Sequence, residues 1–334
     1  MASATLMTIN DRLSVHRSPR AEQVASFADG VRAGLGAPAK SLPSMFFYDE
    51  LGSALFAAIC KLPEYSLTRA EREILKRGAH EIVARLHGPI DLVELGSGSA
   101  EKTRYLIEAA IERQGALHYK PIDISTEALM DSAWELVAAH PELRVTAYAG
   151  DYHEVMLEPG LHGVKPVLAL FLGSNIGNFA PHDAHRLLKT VRGALRKGDA
   201  LLLGTDLKKS SAILEAAYAD EIGVTAAFNK NLLARINREL GGHFDLATFE
   251  HVARYDEERA VVDSHLRSRL AQLIRIDALD MAVKFEAGET IYTESSYKYD
   301  RQSVEELAAL AGFGIAETWY DSGRSFALHL LEVR

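Results

Sequence analysis

The sequence has almost no cysteine and no long apolar run. Cys60 is its only cysteine, which excludes an internal disulfide and is typical of a protein kept in a reducing compartment. No apolar stretch approaches the roughly 18 residues that a membrane-spanning helix needs, and the N-terminus lacks the apolar core of a signal peptide. These absences predict a cytoplasmic protein that does not associate with a membrane.

An excess of positive charge is also missing. The 334 residues include 37 basic and 46 acidic side chains, a formal net charge of −9, which argues against binding to nucleic acid. The length allows one large domain or two ordinary ones, and the hydrophobic content of 48% is that of a globular protein. Because no heptad pattern appears, we expect a monomer.

The histidines form no pattern typical of a metal site. His182 and His185 lie one turn apart on a predicted helix and could in principle bind a metal ion together. A solvated helix face explains this spacing more simply, because polar residues recur on the outer face of an amphipathic helix. We therefore predict that the protein holds no metal.

A glycine-rich turn follows the first strand of a predicted sheet. Residues 90–95 form a short apolar run typical of a buried parallel strand, Gly96 and Gly98 follow, and a helical pattern begins at residue 101. This order lets a ligand approach the backbone N–H groups at a helix N-terminus. Glu94 suits a ligand with a cationic end, such as the amino acid part of S-adenosylmethionine, although an ordinary βα turn has the same pattern.

The alternation of strands and helices continues beyond this turn. Four further apolar runs predict strands at residues 119–124, 143–149, 166–172 and 200–205, with helical patterns between them. Together with the first strand, they predict a doubly wound parallel sheet with helices on both faces. The fold class is therefore α/β.

The chain before the first strand has less regular patterns. Residues 1–20 are polar and irregular, and residues 19–35 predict an amphipathic helix. Thr68 and Glu71 have the spacing of a capping box, which predicts a helix from there to about residue 86. Aromatic residues between these two helices either pack this segment onto the sheet or form a lid over a cofactor. They are Phe46, Phe47, Tyr48, Phe56 and Tyr65.

Polar or small residues follow three of the predicted strands at their carboxyl ends, where doubly wound sheets bind ligands. Asp123 ends the second strand and can accept hydrogen bonds from both hydroxyls of a ribose. Asp151 follows the third strand and can contact an adenine amino group while Tyr152 packs on the ring, although a turn after Gly150 also explains Asp151. Small and amide residues at 173–179 follow the fourth strand and favour substrate binding there.

The alternation stops after Asp206, and an α+β segment of about 90 residues follows, which is too long for a loop. We interpret it as a second domain, combined with the N-terminal segment. A further helix and a closing antiparallel pair are predicted near the C-terminus. The predicted helices of this part are 212–218, 226–240 and 304–312, and the predicted strands are 243–255, 266–276, 281–286, 290–296, 316–319 and 325–331.

Six short motifs occur in one order along the chain, and as a set they are far more specific than the glycine turn. They are Tyr48-Asp-Glu-x-Gly-Ser-x-Leu-Phe, Leu62-Pro-Glu-Tyr, Glu94-Leu-Gly-Ser-Gly-Ser-x-x-Lys, Phe171-Leu-Gly-x-x-Ile-Gly-Asn, Ala217-Tyr-x-Asp-x-x-Gly-Val-Thr-Ala-x-Phe-Asn and Thr293-Glu-x-Ser-x-Lys-Tyr. On these motifs, the chain resembles the histidine-specific Nα-methyltransferases of ergothioneine biosynthesis.

The resemblance implies transfer of three methyl groups from S-adenosyl-L-methionine to the α-amine of L-histidine, which gives hercynine. It also implies a Rossmann-like class I methyltransferase domain at residues 70–206 and a discontinuous α+β substrate-binding domain at residues 20–69 and 207–334. The implied cofactor-binding residues are Tyr65, Gly96, Lys102, Asp123, Asp151 and Tyr152. The implied substrate-binding residues are Tyr48, which is also the catalytic residue, and Gly173 near the amine, Asn178 and Tyr218 at the carboxylate, and Glu294 and Ser296 at the imidazole.

Physical chemistry agrees with the implied substrate roles, although each residue taken singly has a plain structural role as well. Asn178 and Tyr218 are neutral and can hold a carboxylate without adding positive charge beside the amine. Tyr48 can accept a hydrogen bond from the amine or shelter the growing methylammonium group. Strand alternation puts Glu294 and Ser296 on one face, where they can bind the two nitrogens of an imidazole.

Two positions depart from the family pattern, Ser66 where a second aromatic residue is usual and Ser264, and the second bears on the substrate. Ser264 stands where we expect a methionine beside the substrate ring, and the smaller side chain could widen the pocket. Methylation of another amino acid, such as a tryptophan derivative or a histidine analogue, is therefore an alternative. Binding of S-adenosylmethionine without catalysis is a further alternative. Glu94, and Glu101 in place of a third glycine, argue against an adenine-dinucleotide oxidoreductase.

Overall fold

The computed structural model describes residues 5–17, 27–150, 152–156, 161 and 163–334. The chain divides into two compact units, and each is assembled from separate stretches of sequence. The first unit comprises Met1–Val24, Leu67–Leu207 and Tyr299–Arg334, and the second comprises Ala25–Ser66 and Lys208–Lys298.

Strands and helices alternate through the middle of the chain, and strands predominate towards its C-terminus. The strands are β1 (Thr5–Asn10), β2 (Leu13–Arg17), β3 (Asp91–Leu95), β4 (Leu117–Asp123), β5 (Leu143–Ala149), β6 (Val167–Phe171), β7 (Ala200–Asp206), β8 (Phe249–Asp256), β9 (Val261–Ser268), β10 (Gln272–Ile276), β11 (Met281–Phe285), β12 (Thr290–Tyr297), β13 (Phe313–Tyr320) and β14 (Phe326–Val333). The α-helices are α1 (Phe27–Gly36), α2 (Glu50–Ile59), α3 (Leu67–Ala84), α4 (Arg104–Gln114), α5 (Thr126–Ala139), α6 (Tyr152–Val155), α7 (Pro181–Ala194), α8 (Ser211–Tyr218), α9 (Val224–Leu240) and α10 (Arg301–Ala311).

A nine-stranded mixed sheet forms the centre of the first unit. Its strand order is β1-β2-β5-β4-β3-β6-β7-β14-β13. The strands from β2 to β7 run parallel, whereas β1 at one end and β14 and β13 at the other pair antiparallel with their neighbours. The chain order reverses between β3 and β6, so the carboxyl ends of these two strands mark the edge at which doubly wound sheets bind ligands.

The five parallel strands predicted from apolar runs are confirmed as β3 to β7. Every residue of β3, β6 and β7 is buried. Continuous burial is expected for parallel strands, because helices cover both of their faces. The predicted closing antiparallel pair is also confirmed, as β13 and β14.

Both chain termini differ from the predicted organisation. The segment 5–17 is not irregular, because β1 and β2 form a hairpin and β2 adds to the sheet beside β5. The segment 299–334 belongs to the first unit and not to the predicted substrate domain, because β14 pairs along the whole length of β7. The first unit therefore extends beyond the predicted range 70–206, and the second unit lacks the end of the predicted range 207–334.

The second unit combines helices with antiparallel strands. Strands β12, β9 and β8 form one sheet in that order, and β10 and β11 form a separate hairpin. Phe244, Phe249 and Phe285 pack together in its core with ring centroids 5.4 to 6.4 Å apart. The predicted strand 243–255 begins only where β8 does, and the predicted strand 266–276 is wrong because it merges the end of β9 with β10.

Candidate active site

The turn between β3 and α4 places two glycines at the carboxyl end of the sheet. Gly96 has φ of +69° and Gly98 has φ of +51°, left-handed conformations that favour glycine. A β-carbon at Gly96 would lie 3.2 Å from the side-chain nitrogen of Asn175, so the position leaves little room for a side chain. The predicted order of strand, glycine turn and helix is therefore present.

The Asp123 carboxylate lies beside this turn. Its Oδ2 accepts a hydrogen bond from the Gly98 N–H, and its Oδ1 accepts one from the Ser125 N–H, both at 2.9 Å. Burial raises the pKa of Asp123, while these backbone amides oppose the rise. Because a carboxylate has about four acceptor positions, Asp123 retains capacity to accept hydrogen bonds from two hydroxyls of a ligand.

Glu94 supports the turn from beneath. Its side chain is only 3% exposed, and its carboxylate accepts hydrogen bonds from Thr103 Oγ1, at 2.7 Å, and from the Tyr119 hydroxyl. Burial raises the pKa of Glu94 to about 7, although the two hydroxyls and the charge of Lys102 lower it. These contacts tie β3 to β4 and to the start of α4, so Glu94 holds the turn in shape.

A buried carboxylate connects two of the expected ligand-binding residues. Glu71 in α3 is fully buried; it accepts hydrogen bonds from the Lys102 ammonium group and, at 2.7 Å, from the Gly173 N–H. A β-carbon at Gly204 would lie 2.6 Å from Glu71 Oε1, so glycine there makes room for the carboxylate. The predicted capping box is wrong, because α3 begins before Thr68 and Glu71 bonds elsewhere.

The backbone bends sharply after β6, where Gly173 and Asn178, the two expected substrate-binding residues of the first unit, lie. Gly173 has φ of +73° and Ser174 has φ of +57°. The Ser174 hydroxyl accepts a hydrogen bond from the Asp206 N–H at 2.9 Å, which anchors the bend to the end of β7. Asn178 ends the 3-10 turn that follows, and its side chain is exposed.

Tyr152 in α6 belongs to an aromatic group near the same edge of the sheet. Its ring centroid lies 5.8 Å from that of Phe171 and 6.4 Å from that of Phe179. A planar ring held in this way offers a packing surface to a second ring system. Asp151, the expected partner of an adenine amino group, lies outside the described residues.

In the second unit, Tyr48 directly precedes the capped start of α2. Its side chain is 37% exposed, and its ring centroid lies 5.7 Å from that of Phe56 and 5.9 Å from that of Phe228. Asp49 caps α2 by accepting a hydrogen bond from the Gly52 N–H at 2.7 Å. The motif that begins at Tyr48 therefore builds a helix start and leaves the tyrosine ring partly exposed.

The aromatic residues predicted ahead of the first strand contact one another within the second unit. Phe47 stacks on Phe228 with ring centroids 4.4 Å apart. The Tyr65 and Tyr218 rings lie 6.1 Å apart, and both side chains are less than 10% exposed. Burial is the main cause that raises the pKa of Tyr65 far above its ordinary value, and the nearby Tyr218 raises it further. The Tyr65 phenol therefore keeps its proton at neutral pH.

Glu294 and Ser296 lie on one face of β12, as predicted from strand alternation. In the register of the sheet, Glu294 stands opposite Ser264 of β9. Burial raises the pKa of Glu294 to about 7, while the charge of Lys298 lowers it. Within the described part of the chain, no group donates a hydrogen bond to the Glu294 carboxylate. A partly buried carboxylate without a protein donor is available to accept a hydrogen bond from a ligand.

Sequence reasoning missed two buried charged residues that organise these groups. Lys298 is 3% exposed, and its ammonium group donates to Ser296 Oγ at 2.8 Å and to Tyr218 Oη at 2.7 Å. The alternation that pairs Glu294 with Ser296 continues to residue 298, which is the signal that could have found it. Glu71 has no such signal, because its partners are distant in the sequence.

The described ranges offer neither a cluster of metal ligands nor a membrane span. They contain no group of three or more His, Cys, Asp or Glu side chains placed to hold a metal ion. His185 Nε2 lies 3.2 Å from the Leu310 carbonyl oxygen, which accounts for this ring without a ligand. In the same ranges, every helix is too short or too polar to cross a membrane.

Comparison with known proteins identifies the family. A family model described as histidine-specific, S-adenosylmethionine-dependent methyltransferase matches residues 27–333. A histidine N-alpha-methyltransferase of Mycolicibacterium smegmatis is 43% identical over 90% of this chain and 92% of its own, and ergothioneine biosynthesis protein 1 of Schizosaccharomyces pombe is 27% identical over 87% of this chain and 38% of its own. A solved S-adenosylmethionine-dependent methyltransferase of Clostridium acetobutylicum matches 83% of this chain and 97% of its own with a TM-score of 0.45 at 12% identity. The chain belongs to the family of S-adenosylmethionine-dependent, histidine-specific methyltransferases.

Proposed function

We propose that this protein transfers three methyl groups from S-adenosyl-L-methionine to the α-amine of L-histidine and so forms hercynine, a step of ergothioneine biosynthesis. Family membership supports methyl transfer to histidine. The observation that carries the substrate assignment is the Glu294 carboxylate, which is partly buried on the same strand face as Ser296 and receives no hydrogen bond within the described part of the chain. An imidazole N–H would supply the missing donor.

We assign binding of the methyl donor to the first unit. Asp123 would accept hydrogen bonds from the ribose hydroxyls, and the turn at Gly96 would let the amino acid end of the donor approach the backbone. Lys102, held by the buried Glu71, would pair with the carboxylate of the donor. The other proposed contacts of the donor are Asp151 and Tyr152 at the adenine and Tyr65 of the second unit.

We assign the remaining residues to histidine. Glu294 and Ser296 would bind the two nitrogens of the imidazole, and Tyr218 and Asn178 would bind the carboxylate without placing a positive charge beside the amine. Tyr48 and the Gly173 backbone would hold the amine, and Tyr48 is the proposed catalytic residue. An electron-rich phenol ring favours the cationic product as methyl groups accumulate on nitrogen.

Bound S-adenosylmethionine supplies a methyl group that is activated by its positively charged sulfur. In each transfer, the amine lone pair forms a nitrogen–carbon bond while the sulfur–carbon bond breaks, and sulfur becomes neutral. The amine must therefore be deprotonated before each transfer, and after the third no proton remains on the nitrogen. Such a displacement depends mainly on alignment, so the proposed residues act by orienting the amine and excluding water.

The small side chain of Ser264 is the reason to retain a second candidate substrate. It stands opposite Glu294 in the sheet and is 2% exposed, so its size bears on the space beside the carboxylate. A larger aromatic amino acid, such as a tryptophan derivative, would benefit from that space. Histidine remains the first choice, because an indole would offer its single N–H to Glu294 and nothing to Ser296.

We further propose that the protein works as a monomer in the cytoplasm and needs neither a metal, a nucleic acid nor a membrane. The single cysteine and the net charge of −9 support this setting. The absence of a heptad seam in the sequence supports the monomer.

The test is to incubate the purified protein with S-adenosylmethionine and L-histidine and to follow products by mass spectrometry. We expect a product heavier by three methyl groups and its loss in Glu294→Ala. Glu258→Ala, which changes an exposed glutamate in the turn between β8 and β9, is the matched control and should remain active. Methylation of another amino acid in place of histidine would overturn the substrate, and saturable donor binding without any methylated product would overturn catalysis.

A further inference from the structure

Three polar groups of the second unit form a closed hydrogen-bonded cluster inside the protein. The Lys298 ammonium group donates to Tyr218 Oη at 2.7 Å and to Ser296 Oγ at 2.8 Å, and the Tyr218 hydroxyl donates to Ser296 Oγ at 2.7 Å. The exposed fractions are 7% for Tyr218, 5% for Ser296 and 3% for Lys298. A lysine buried to this degree is rare unless its protons are bound by well-placed acceptors.

The ammonium group restricts what the two hydroxyls can do. An ammonium group has three donors and no acceptor, whereas a hydroxyl has one donor and two lone pairs. Ser296 Oγ accepts from both Lys298 and Tyr218, so both of its lone pairs are used. With the Tyr218 hydroxyl as donor to Ser296, the proton of Ser296 points away from the cluster, and Ser296 acts as a donor towards a ligand.

Strand geometry places the Ser296 hydroxyl, which donates, beside the Glu294 carboxylate, which accepts. Glu294, Ser296 and Lys298 alternate along one face of β12 and its continuation, where the Lys298 N–H still donates to the Ala260 carbonyl at 2.7 Å. The positive charge of Lys298 also favours the ionised form of Glu294, because it opposes the pKa rise that burial causes. One lysine thus favours an accepting carboxylate and a donating hydroxyl side by side.

We propose that Lys298 is a positioning residue that makes Ser296 an obligatory donor, so that this face selects a ring offering one N–H and one bare nitrogen. This inference rests on the proposed function, and it adds that the ring is bound as the neutral imidazole. A ring with two N–H groups, such as imidazolium, leaves the Ser296 proton facing another proton. A ring without nitrogen leaves both Glu294 and Ser296 without partners.

The test measures binding of L-histidine by calorimetry to the full chain saturated with S-adenosylhomocysteine. In Lys298→Met, the Ser296 hydroxyl is no longer held as a donor. Histidine binding should therefore weaken by ~10- to 100-fold, which is the effect of losing a hydrogen bond to a buried polar group. Ser296→Ala should weaken it to a similar extent. The double variant should be weaker than Ser296→Ala by less than the full factor lost in Lys298→Met, because only the effect of Lys298 on Glu294 remains to be lost.

Two controls separate positioning from a general structural role. Lys284→Met, which changes a lysine with a side chain that is 75% exposed, should leave binding unchanged. The ligand 3-(2-thienyl)-L-alanine has an aromatic ring without nitrogen, so its affinity should be the same for Lys298→Met as for the unaltered protein. If Lys298→Met does not fold, Lys298→Gln, which keeps two N–H donors without the charge, replaces it and should retain part of the histidine affinity.

Several outcomes would overturn the inference. Unchanged histidine binding in Lys298→Met would do so, as would effects of Lys298→Met and Ser296→Ala that multiply in the double variant. An equal loss of histidine and thienylalanine binding would show that Lys298 only supports the fold. Failure of the unaltered protein to methylate histidine would instead overturn the proposed function, and the activity assay distinguishes that outcome from the binding results.

Discussion

Replacement of Glu294 by glutamine should make the protein more stable at alkaline pH while it removes histidine binding. Burial raises the pKa of Glu294 from 4.5 to about 7. A carboxyl group whose pKa is raised by folding contributes stability that is fully present below its unfolded value and is lost as pH rises through the folded value. Glutamine is neutral at every pH, so Glu294→Gln should not show this loss.

The size of the effect follows from the pKa values. A rise from 4.5 to about 7 corresponds to about 3 kcal/mol at ~1.4 kcal/mol per pH unit, fully expressed above pH ~7. Because the Glu294 side chain is not completely buried, screening by water reduces this to about 2 kcal/mol. For a chain of this length, we expect the melting temperature at pH 8 to rise by about 3 °C.

The assay compares thermal unfolding of the unaltered protein, Glu294→Gln and Glu258→Gln between pH 5 and pH 8. Other groups that titrate, including Glu94, are common to all three proteins and cancel in the difference. We expect the gain of Glu294→Gln to be small at pH 5, about a quarter of its value at pH 8, and to grow with pH, and we expect no gain for the exposed Glu258. A gain of equal size at both pH values, or none at pH 8, would refute the reasoning.

Three further substitutions test other parts of the structure. Asp123→Ala should weaken binding of S-adenosylmethionine by ~10- to 100-fold in calorimetry, because it removes the proposed ribose acceptors. Gly204→Ala should lower the free energy of unfolding by about 1–3 kcal/mol in urea denaturation, because its β-carbon would lie 2.6 Å from Glu71 Oε1. Gly52→Ala should lower it by at least as much, ~3 kcal/mol, because its β-carbon would lie 1.7 Å from the Phe47 carbonyl oxygen.

Each of these substitutions has a matched control. Asp131→Asn changes an exposed aspartate of α5 and should leave binding of S-adenosylmethionine as it is; equal binding by Asp123→Ala would disprove the ribose assignment. Gly193→Ala should be neutral or slightly stabilising, because a β-carbon there meets nothing within 4 Å inside α7. If Gly204→Ala or Gly52→Ala unfolded like Gly193→Ala, the packing argument at that site would be wrong.

The central sheet could be predicted because a strand that is buried on both faces needs apolar residues at successive positions. Strand β6 is a continuous apolar run, and β3 and β7 are mostly apolar, as is typical of buried parallel strands. The edges of the same sheet leave a weaker mark. Strands β1 and β2 are short and mix polar with apolar residues, so the pattern of residues 5–17 indicates a hairpin only weakly.

The antiparallel strands of the second unit were harder to delimit. The apolar alternation of β9 continues into β10, and pattern alone cannot show where one strand ends. The structure ends β9 at Ser268, which pairs with Phe249 of β8, and begins β10 at Gln272, which pairs with Phe285 of β11. Such a contact is set by tertiary packing, which a local pattern does not record.

The site residues also divide into those that local position could predict and those that depend on contacts between distant parts of the chain. Asp123 and Glu294 could be proposed from position, because strand ends and strand alternation have a fixed geometry. Glu71 could not, since it acts by joining Lys102 to Gly173 across the first unit. The contact between Lys298 and Tyr218 spans 80 residues, and only folding brings them together.

Two glutamates with a pKa of about 7, the buried Glu94 and the partly buried Glu294, differ in the hydrogen bonds that the fold gives them. Glu94 accepts hydrogen bonds from Thr103 and Tyr119, so the fold itself offsets part of the free energy of burying its carboxylate. Glu294 gains only the attraction of Lys298, and within the described residues no donor reaches its carboxylate. The fold thus leaves most of the free energy of desolvating the Glu294 carboxylate without compensation. A ligand that donates an N–H group to this carboxylate compensates for it and binds more tightly for that reason. The same deficit that lowers stability at alkaline pH therefore gives the second unit its proposed affinity for a neutral imidazole.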